Sequence, residues 1–551
     1  MIQCHTKFFR VKKRRQKLKY RSKMTKKKIA VLGGGFAGIG ALASLKEVGC
    51  FDLVCFEKTG NYGGSWYYRE TAIEGIPSIM PTTYLNHSKE MGALSTFPPR
   101  KEINNFMRHQ EIYQYITEFA TEKDVLQYIQ VNTEVMLVKR SDDYEKSGKW
   151  VVTVRNTVTE EVTSDVYDGV MVCVGHINRP KMPIYPGQST FKGEIIHTHS
   201  LRGVSSFQNK TVVVVGLGCS GLDAAVETSN VASQVYISTR SGAHIINRVG
   251  PSGRPYDYFL IRRCFLALLE YLPLNLVSWL FESCYLDLHF NHKLYPVQPK
   301  QRVFQKDPVL NDHIASKILS GSVIMKPDIQ CFTENGVIFE GDSEITQVDA
   351  VIMATGYTWK FPFLEDGIVT QEENRINLYK CMFPPHLPHA TLLFIAFFLT
   401  FGPGFPLGEL QCRWAAQILA GNCKLPSQEV MYKDIKKRYG KNVKRFTPSD
   451  KMSIRVDVMP YCDDIASQIG VKPNFFKILL TDPRLFFKLI FGPFLSYQFR
   501  LHGPYAWEGA RDAIMTCKER VFYPLTKGHL NAFDESIFMK IVKRILRLIF
   551  P

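Results

Sequence analysis

The chain has no C-x-x-C pair among its 13 cysteines. That excludes a zinc ribbon and argues against a disulfide-stapled secreted scaffold; a reducing setting with free thiols is expected. No run reaches the ~20 apolar residues of a spanning helix. The amino terminus lacks the apolar core of a signal peptide. Acidic residues are absent from residues 1–28, which hold 13 of the 69 Lys and Arg and leave +5 of the net +18 for the other residues. The segment Lys12-Lys13-Arg14-Arg15-Gln16-Lys17-Leu18-Lys19 has the character of a nuclear-localisation or nucleic-acid patch, or of an attractor for acidic lipid heads. Nothing else in the chain speaks for nucleic acid, so residues 1–27 are read as a disordered, solvated leader. Met24-Thr25-Lys26-Lys27-Lys28 reads as an alternative beginning of the folded protein.

What remains is ordinary globular sequence, 45% hydrophobic and 22% charged, and long enough at 551 residues for two or three domains. Within it, two glycine loops stand out. The first is Gly33-Gly34-Gly35-Phe36-Ala37-Gly38, with Glu57 nineteen residues after Gly38. The second is Gly216-Leu217-Gly218-Cys219-Ser220-Gly221, with Arg240 nineteen residues after Gly221. Each follows a short apolar run (Lys28–Leu32; Thr211–Val215), opens a helix (Ile39–Val48; from Leu222 onward) and leads to a second strand (Phe51–Phe56; Val235–Thr239). This is the layout of a dinucleotide-binding βαβ unit. The first glycine permits the tight turn, the second admits the pyrophosphate, and the third lets the helix pack on the strand. The helix N-terminus offers free N–H groups to the phosphates. An acid at the second strand end suits a free ribose 2′-hydroxyl, as in FAD or NAD; an arginine suits the 2′-phosphate of NADP. The pair of opposite charges points to electron transfer from NADPH to a flavin.

The expected fold is α/β, with two Rossmann-like domains. The second interrupts the first. The boundaries read as 28–185 for the first part of the FAD domain, 186–335 for the NADPH domain, 336–445 for the second part of the FAD domain, and 446–551 for a C-terminal region. The strand-like run ending at Val174-Gly175-His176 places another glycine terminus at the height of the cofactor. Pro180–Gly193 reads as a linker, and Asp349–Tyr357 as the return to the first domain. Near the end, Ile537, Ile541, Ile545, Leu548 and Ile549 share one helical face, with Lys540, Lys543, Arg544 and Arg547 largely opposite. That pattern suits an amphipathic helix lying on a membrane; the alternative is a helix docked on the protein's own core. Residues 475–499 are also apolar, but Asp482-Pro483-Arg484 interrupts them.

Beyond the loops, further blocks resemble the flavin-containing monooxygenases of the animal drug-metabolising type. They are Phe191-Lys192-Gly193-Glu194-Ile195-Ile196-His197, Ala354-Thr355-Gly356-Tyr357, Gly63-Gly64-Ser65-Trp66, Asn86-His87-Ser88-Lys89-Glu90-Met91, Glu409-Leu410-Gln411-Cys412-Arg413-Trp414 and Gly503–Arg511. Leu201 departs from the aromatic that closes the first of these signatures, and His87 from a frequent serine. The resemblance implies FAD and NADPH as cofactors, and no metal. It implies a C4a-hydroperoxyflavin that passes one oxygen atom to the nitrogen or sulfur of a small amine or sulfide. O2 is the co-substrate. Baeyer–Villiger oxygenation of ketones, or an NADPH oxidase releasing hydrogen peroxide, are the alternatives. A disulfide reductase is disfavoured, because no thiol pair follows the first unit. The resemblance also implies the cytosolic face of the endoplasmic reticulum membrane, and leaves oligomerisation open.

By the same resemblance, Gly33, Gly34, Gly35, Phe36, Ala37 and Gly38 face the FAD pyrophosphate, Glu57 its ribose, and Ser65 and Trp66 its flavin side. Leu85, Asn86, His87 and Gln411 lie among the cofactor contacts, with the Asn86 amide as the catalytic group that bonds NADP and the flavin–oxygen adduct. Gly216, Gly218, Ser220, Gly221, Leu222 and Asp223 underlie NADP. Arg240 holds the 2′-phosphate, with Ser238 and Thr239 adding hydroxyls.

Overall fold

A computed structural model describes residues 26–527, except 370, 373 and 374. The basic leader up to Thr25 and the amphipathic stretch Ile537–Phe550 lie outside the described residues.

Two five-stranded parallel sheets organise the chain. In the first, Lys27–Leu32 is central. It pairs with Phe51–Phe56 on one side and Gly169–Val172 on the other; Ile129–Gln130 and Leu392–Phe394 complete the edges. In the second, Thr211–Val215 pairs with Gln234–Ser238 and Ala350–Met353, flanked by Val323–Lys326 and Glu194–His197. The central strands are buried on both faces, which is why they read as unbroken apolar runs. Helix Phe36–Val48 packs on the first sheet and against Gly404–Leu419, a helix whose residues from Pro406 to Leu419 are all buried. Helix Cys219–Thr228 packs on the second sheet.

One boundary is corrected. Ala350–Met353 does not return the chain to the first sheet; it is hydrogen-bonded between Thr211–Val215 and Glu194–His197, inside the second. The NADPH domain therefore runs past 335 to about Thr355, and an apolar run with flanking turns cannot by itself say which of two parallel sheets it joins. The chain crosses between domains at a pair of short antiparallel segments, Arg179–Pro180 and Tyr357–Thr358.

The NADPH domain also carries a helical insertion, Tyr256–Leu260, Arg263–Tyr271 and Leu274–Phe281. Leu260, Leu266 and Phe281 of this insertion share one core with Ile39 and Leu42 of the first domain and with Ile465 and Leu489 of the C-terminal helices. Asp482 splits the apolar stretch near residue 480. It accepts the N–H of Leu485 at 3.1 Å and starts the helix Pro483–Phe491, with proline at its first turn.

Candidate functional site: two glycine loops joined by an asparagine loop

A cleft of about 780 Å³ opens at the carboxyl ends of the first sheet's strands. Gly33, Gly35, Phe36, Ala37, Glu57, Ser65 and Trp66 line it, as does the Gly175-His176 terminus. Gly33 sits at φ +101°, and a Cβ on Gly38 would lie 1.9 Å from the Gly33 carbonyl oxygen. Helix Phe36–Val48 has no side-chain cap and no acid in its first turn, so its N-terminal N–H groups are available to phosphate. The Glu57 carboxylate, 6% exposed, accepts the Gly34 N–H at 2.8 Å through Oε2 and the Thr59 N–H and hydroxyl through Oε1. It is thereby held at the cleft wall, with lone pairs left for ribose hydroxyls. Phe36 stacks on Phe405 at 3.8 Å, and Trp66 meets Phe405 edge-on. The chemistry of this cleft fits FAD.

The second glycine loop repeats the architecture. Gly216 has φ +115°, and a Cβ on Gly221 would lie 2.1 Å from its carbonyl oxygen. Gly218 faces open space, as a residue under a pyrophosphate must. Helix Cys219–Thr228 is likewise uncapped. Ser220 is exposed at its start, whereas the Leu222 side chain is core, so Leu222 offers only its backbone. Asp223 accepts from Asn311 Nδ2 at 3.1 Å, and burial pushes its carboxyl up to about 6. Arg240 projects its guanidinium with 83% exposure, 3.8 Å from Asp328. Ser238 is buried, and its hydroxyl is turned to the Pro327 carbonyl. The Thr239 hydroxyl accepts the Gly242 N–H.

Asn86 spans the two halves. Its Nδ2 donates toward Cys219 Sγ at 3.7 Å, at the start of the NADPH-domain helix. Its Oδ1 accepts from Arg248 at 3.0 Å, and Arg248 is fixed by Asp312. Leu85 and His87, on either side, are buried and serve as anchors of this loop. The His87 ring packs edge-on to Phe405, and burial lowers its pKa to about 4. The rest of the block is a clamp: Lys89 donates to the carbonyls of Lys101 and Ile103, and Glu90 pairs with Arg520. Gln411 does not line the cleft. Both ends of its amide are used, Oε1 by the Ala396 N–H and Nε2 by the Tyr461 hydroxyl. It supports the cleft at one remove, because Ala396 lines it with φ +56°.

Sequence reasoning missed three cations. Arg69 lines the FAD cleft, donating to the Gly64 carbonyl and the Thr59 hydroxyl. Arg248 holds Asn86 from the NADPH domain. Lys306 approaches Ser241 beside Arg240, and burial, then the Arg240 charge, pulls its pKa down. None belongs to a spaced motif, so no signal in the sequence singles them out. The signature histidine His197 is structural: it accepts the His199 N–H at Nδ1 and meets the Gly356 carbonyl at Nε2. The departing Leu201 is 2% exposed in the second domain's core.

The comparisons agree with this fold. The family model described as flavin-binding monooxygenase-like matches residues 26–550. The chain is 39% identical to human flavin-containing monooxygenase 2 over 521 residues, 94% of this chain and 97% of the relative. It is 40% identical to rat dimethylaniline monooxygenase [N-oxide-forming] 2 over 501 residues, covering 91% and 93%. Among solved structures, the S-allyl-L-cysteine S-oxygenase of Allium sativum superposes with a TM-score of 0.62 at 22% identity, covering 84% and 94%; this shows the fold. With the two glycine loops in place, the family match makes this an FAD- and NADPH-dependent monooxygenase, acting on a small molecule and O2. The chain belongs to the flavin-containing monooxygenase family.

Two predictions arise here. Arg240→Ala is expected to raise the KM for NADPH by about tenfold or more, the loss of a charge-assisted pair with the 2′-phosphate, while that for NADH stays within about twofold. Steady-state kinetics with both coenzymes check it, and equal effects refute the assignment.

The second concerns pH. Burial lowers His87, His176, His197 and His292 to about 4. A lowered histidine adds stability that is present above its unfolded value of 6.5 and lost as pH falls toward 4. Asp223 and Asp257, raised to about 6 by burial, act oppositely; their cost grows as pH rises from 3.8 through 6. Four groups against two give a net loss on acidification. Thermal unfolding should start about 5 °C or more lower at pH 4.5 than at pH 7.5. A higher midpoint in acid would overturn this balance.

Proposed function

We propose that the enzyme transfers one atom of O2 to soft nitrogen or sulfur in small xenobiotics or metabolites, with NADPH as reductant. The observation that carries the reading is the placement of Asn86, from the FAD half, against the start of the NADPH-domain helix. When bound, the FAD–NADPH pair supplies hydride transfer and the activation of O2. The chain's own residues bind, orient and shield. The helix N-termini at Phe36 and Cys219 take the two pyrophosphates. Glu57 takes the FAD ribose and Arg240 the 2′-phosphate. The Asn86 amide offers a donor and an acceptor that do not titrate, which suits a junction where charge changes during turnover. Trp66, Phe36 and Phe405 wall the flavin end with apolar surface, excluding water from the reacting region.

N-oxygenation is favoured over ketone oxygenation because the relative named N-oxide-forming shares 40% identity across 91% of the chain. The test supplies ¹⁸O2 and NADPH with a tertiary amine, a thioether and a cyclic ketone. Label in the amine oxide and sulfoxide supports the reading. Label only in an ester makes the enzyme a Baeyer–Villiger oxygenase, and hydrogen peroxide alone makes it an oxidase.

We also propose attachment to the cytosolic face of the endoplasmic reticulum membrane. Among the described residues no helix is long and apolar enough to cross a bilayer. Phe476, Leu480, Phe487 and Phe491 nevertheless stand 55–73% exposed on two consecutive helices, with Lys477 and Arg484 also exposed there. Apolar side chains among cations suit the interface of an acidic bilayer.

A further inference from the structure

We propose that Asp257 is a positioning residue for the oxygenation reaction, latching the Asn86 loop to the helical insertion and so setting where the Asn86 amide points; the proposal rests on the role given above to Asn86. Asp257 lies far from Asn86 in sequence, on the short helix Tyr256–Leu260, and its side chain is fully buried. Its Oδ2 accepts the backbone N–H of Ser88 at 2.5 Å. The preceding residue adds a second tie: the Tyr256 hydroxyl donates to the Asn86 carbonyl at 2.9 Å. Two consecutive residues of the insertion thus grip the loop at Asn86 and Ser88, leaving the Asn86 side chain between them free to meet Arg248 and Cys219.

The mount is rigid. The Tyr256 N–H donates to the Arg248 carbonyl at 2.9 Å, and Leu260 and Ile261 are fully buried. The Phe494 N–H ties the end of the helix by donating to the Ile261 carbonyl at 2.8 Å. The Tyr256 ring lies parallel to Phe106 at 6.4 Å. The far side of the loop is secured independently, by Lys89 on the carbonyls of Lys101 and Ile103 and by Glu90 on Arg520. Remove the latch at Asp257 and the segment past Ser88 stays fixed, while the Asn86 side of the loop loses one of its ties to the insertion. An ionisable group sealed in the core at this place serves geometry: a carboxylate is the strongest acceptor available for the Ser88 N–H.

The experiment compares Asp257→Ala, Asp257→Asn, Tyr256→Phe, Asn86→Ala and the double variant Asn86→Ala/Asp257→Ala as FAD-loaded full-length enzymes. Coupling is read as the moles of hydrogen peroxide released, against oxygenated product, per mole of NADPH consumed. Exchange of the amides of residues 84–92 is read without turnover. Asp257→Ala is expected to raise the peroxide share about threefold or more and to speed exchange at Ser88 about tenfold, with FAD content retained. Asp257→Asn keeps an acceptor oxygen and should restore coupling to within about twofold of the parent. Tyr256→Phe should uncouple in the same direction, and it carries the test if Asp257→Ala does not fold.

The double variant should be no more uncoupled than Asn86→Ala, because Asp257 acts through that amide. Additive uncoupling, or parental coupling with parental exchange in Asp257→Ala, overturns the proposal. Full coupling in Asn86→Ala overturns the reading of Asn86 itself, a different and separable result.

Discussion

Gly38→Ala should yield a colourless protein, while Gly221→Ala should remain yellow and fail to be reduced by NADPH. The two substitutions are the same chemical change at equivalent places in the two nucleotide units. In the first, the added Cβ would sit 1.9 Å from the Gly33 carbonyl oxygen; in the second, 2.1 Å from that of Gly216 and 3.2 Å from the Ala354 Cβ. The atoms at closest approach are backbone, so no side chain can swing aside. Relief requires the helix to lift from its strand, carrying the N–H groups that would receive the pyrophosphate away from the loop. Overpacking of this kind costs about 1–3 kcal/mol or more, enough to lose a bound dinucleotide as well as some stability. The ratio of flavin absorbance to protein absorbance reads the first outcome, and anaerobic reduction by NADPH reads the second. A yellow Gly38→Ala protein would remove the first loop from the FAD site. A colourless Gly221→Ala protein would mean that the two loops do not serve separate dinucleotides.

Those glycine loops also show why so much of the architecture was legible. In each loop the first glycine takes a positive φ and the last leaves no room for a Cβ, and the strand Phe51–Phe56 and the strand Thr211–Val215 fall where the apolar runs place them. The long-range choices were not legible. Ala350–Met353 reads equally well in either sheet; only its hydrogen bonds to Thr211–Val215 and Glu194–His197 decide. The helical insertion and the segment leading into it carry no motif, yet they supply Arg248, Tyr256 and Asp257 to the Asn86 loop. Gln411 shows the converse. Its block marks it, but the side chain is spent inside the core on Ala396 and Tyr461. A residue read as touching the cofactor is placed where it holds the backbone that lines the cofactor's cleft.

Asn86→Asp separates cofactor binding from oxygen transfer. The side chain is outside the set that lines the FAD cleft, so flavin content should match the parent. The substituted carboxylate keeps the acceptor facing Arg248 and turns that hydrogen bond into an ion pair. It loses the Nδ2 donor that points toward Cys219, and it sets a negative charge at the helix terminus proposed to receive the NADP phosphates. Two effects then act together. Coenzyme would be held more weakly, and the group that would stabilise charge developing on oxygen could no longer donate. Loss of one such donor in a preorganised site lowers turnover by about 10²–10³, so product formation should drop by that factor while NADPH consumption continues and hydrogen peroxide accumulates. Asn86→Gln, which restores the donor on a longer arm, should recover little, because the ties at the Asn86 carbonyl and at Ser88 fix where that arm begins. Measured side by side, NADPH oxidation, peroxide and oxygenated product decide the matter. An Asn86→Asp enzyme with parental product yield would remove the amide from the reaction and leave the loop a purely structural bridge between the domains.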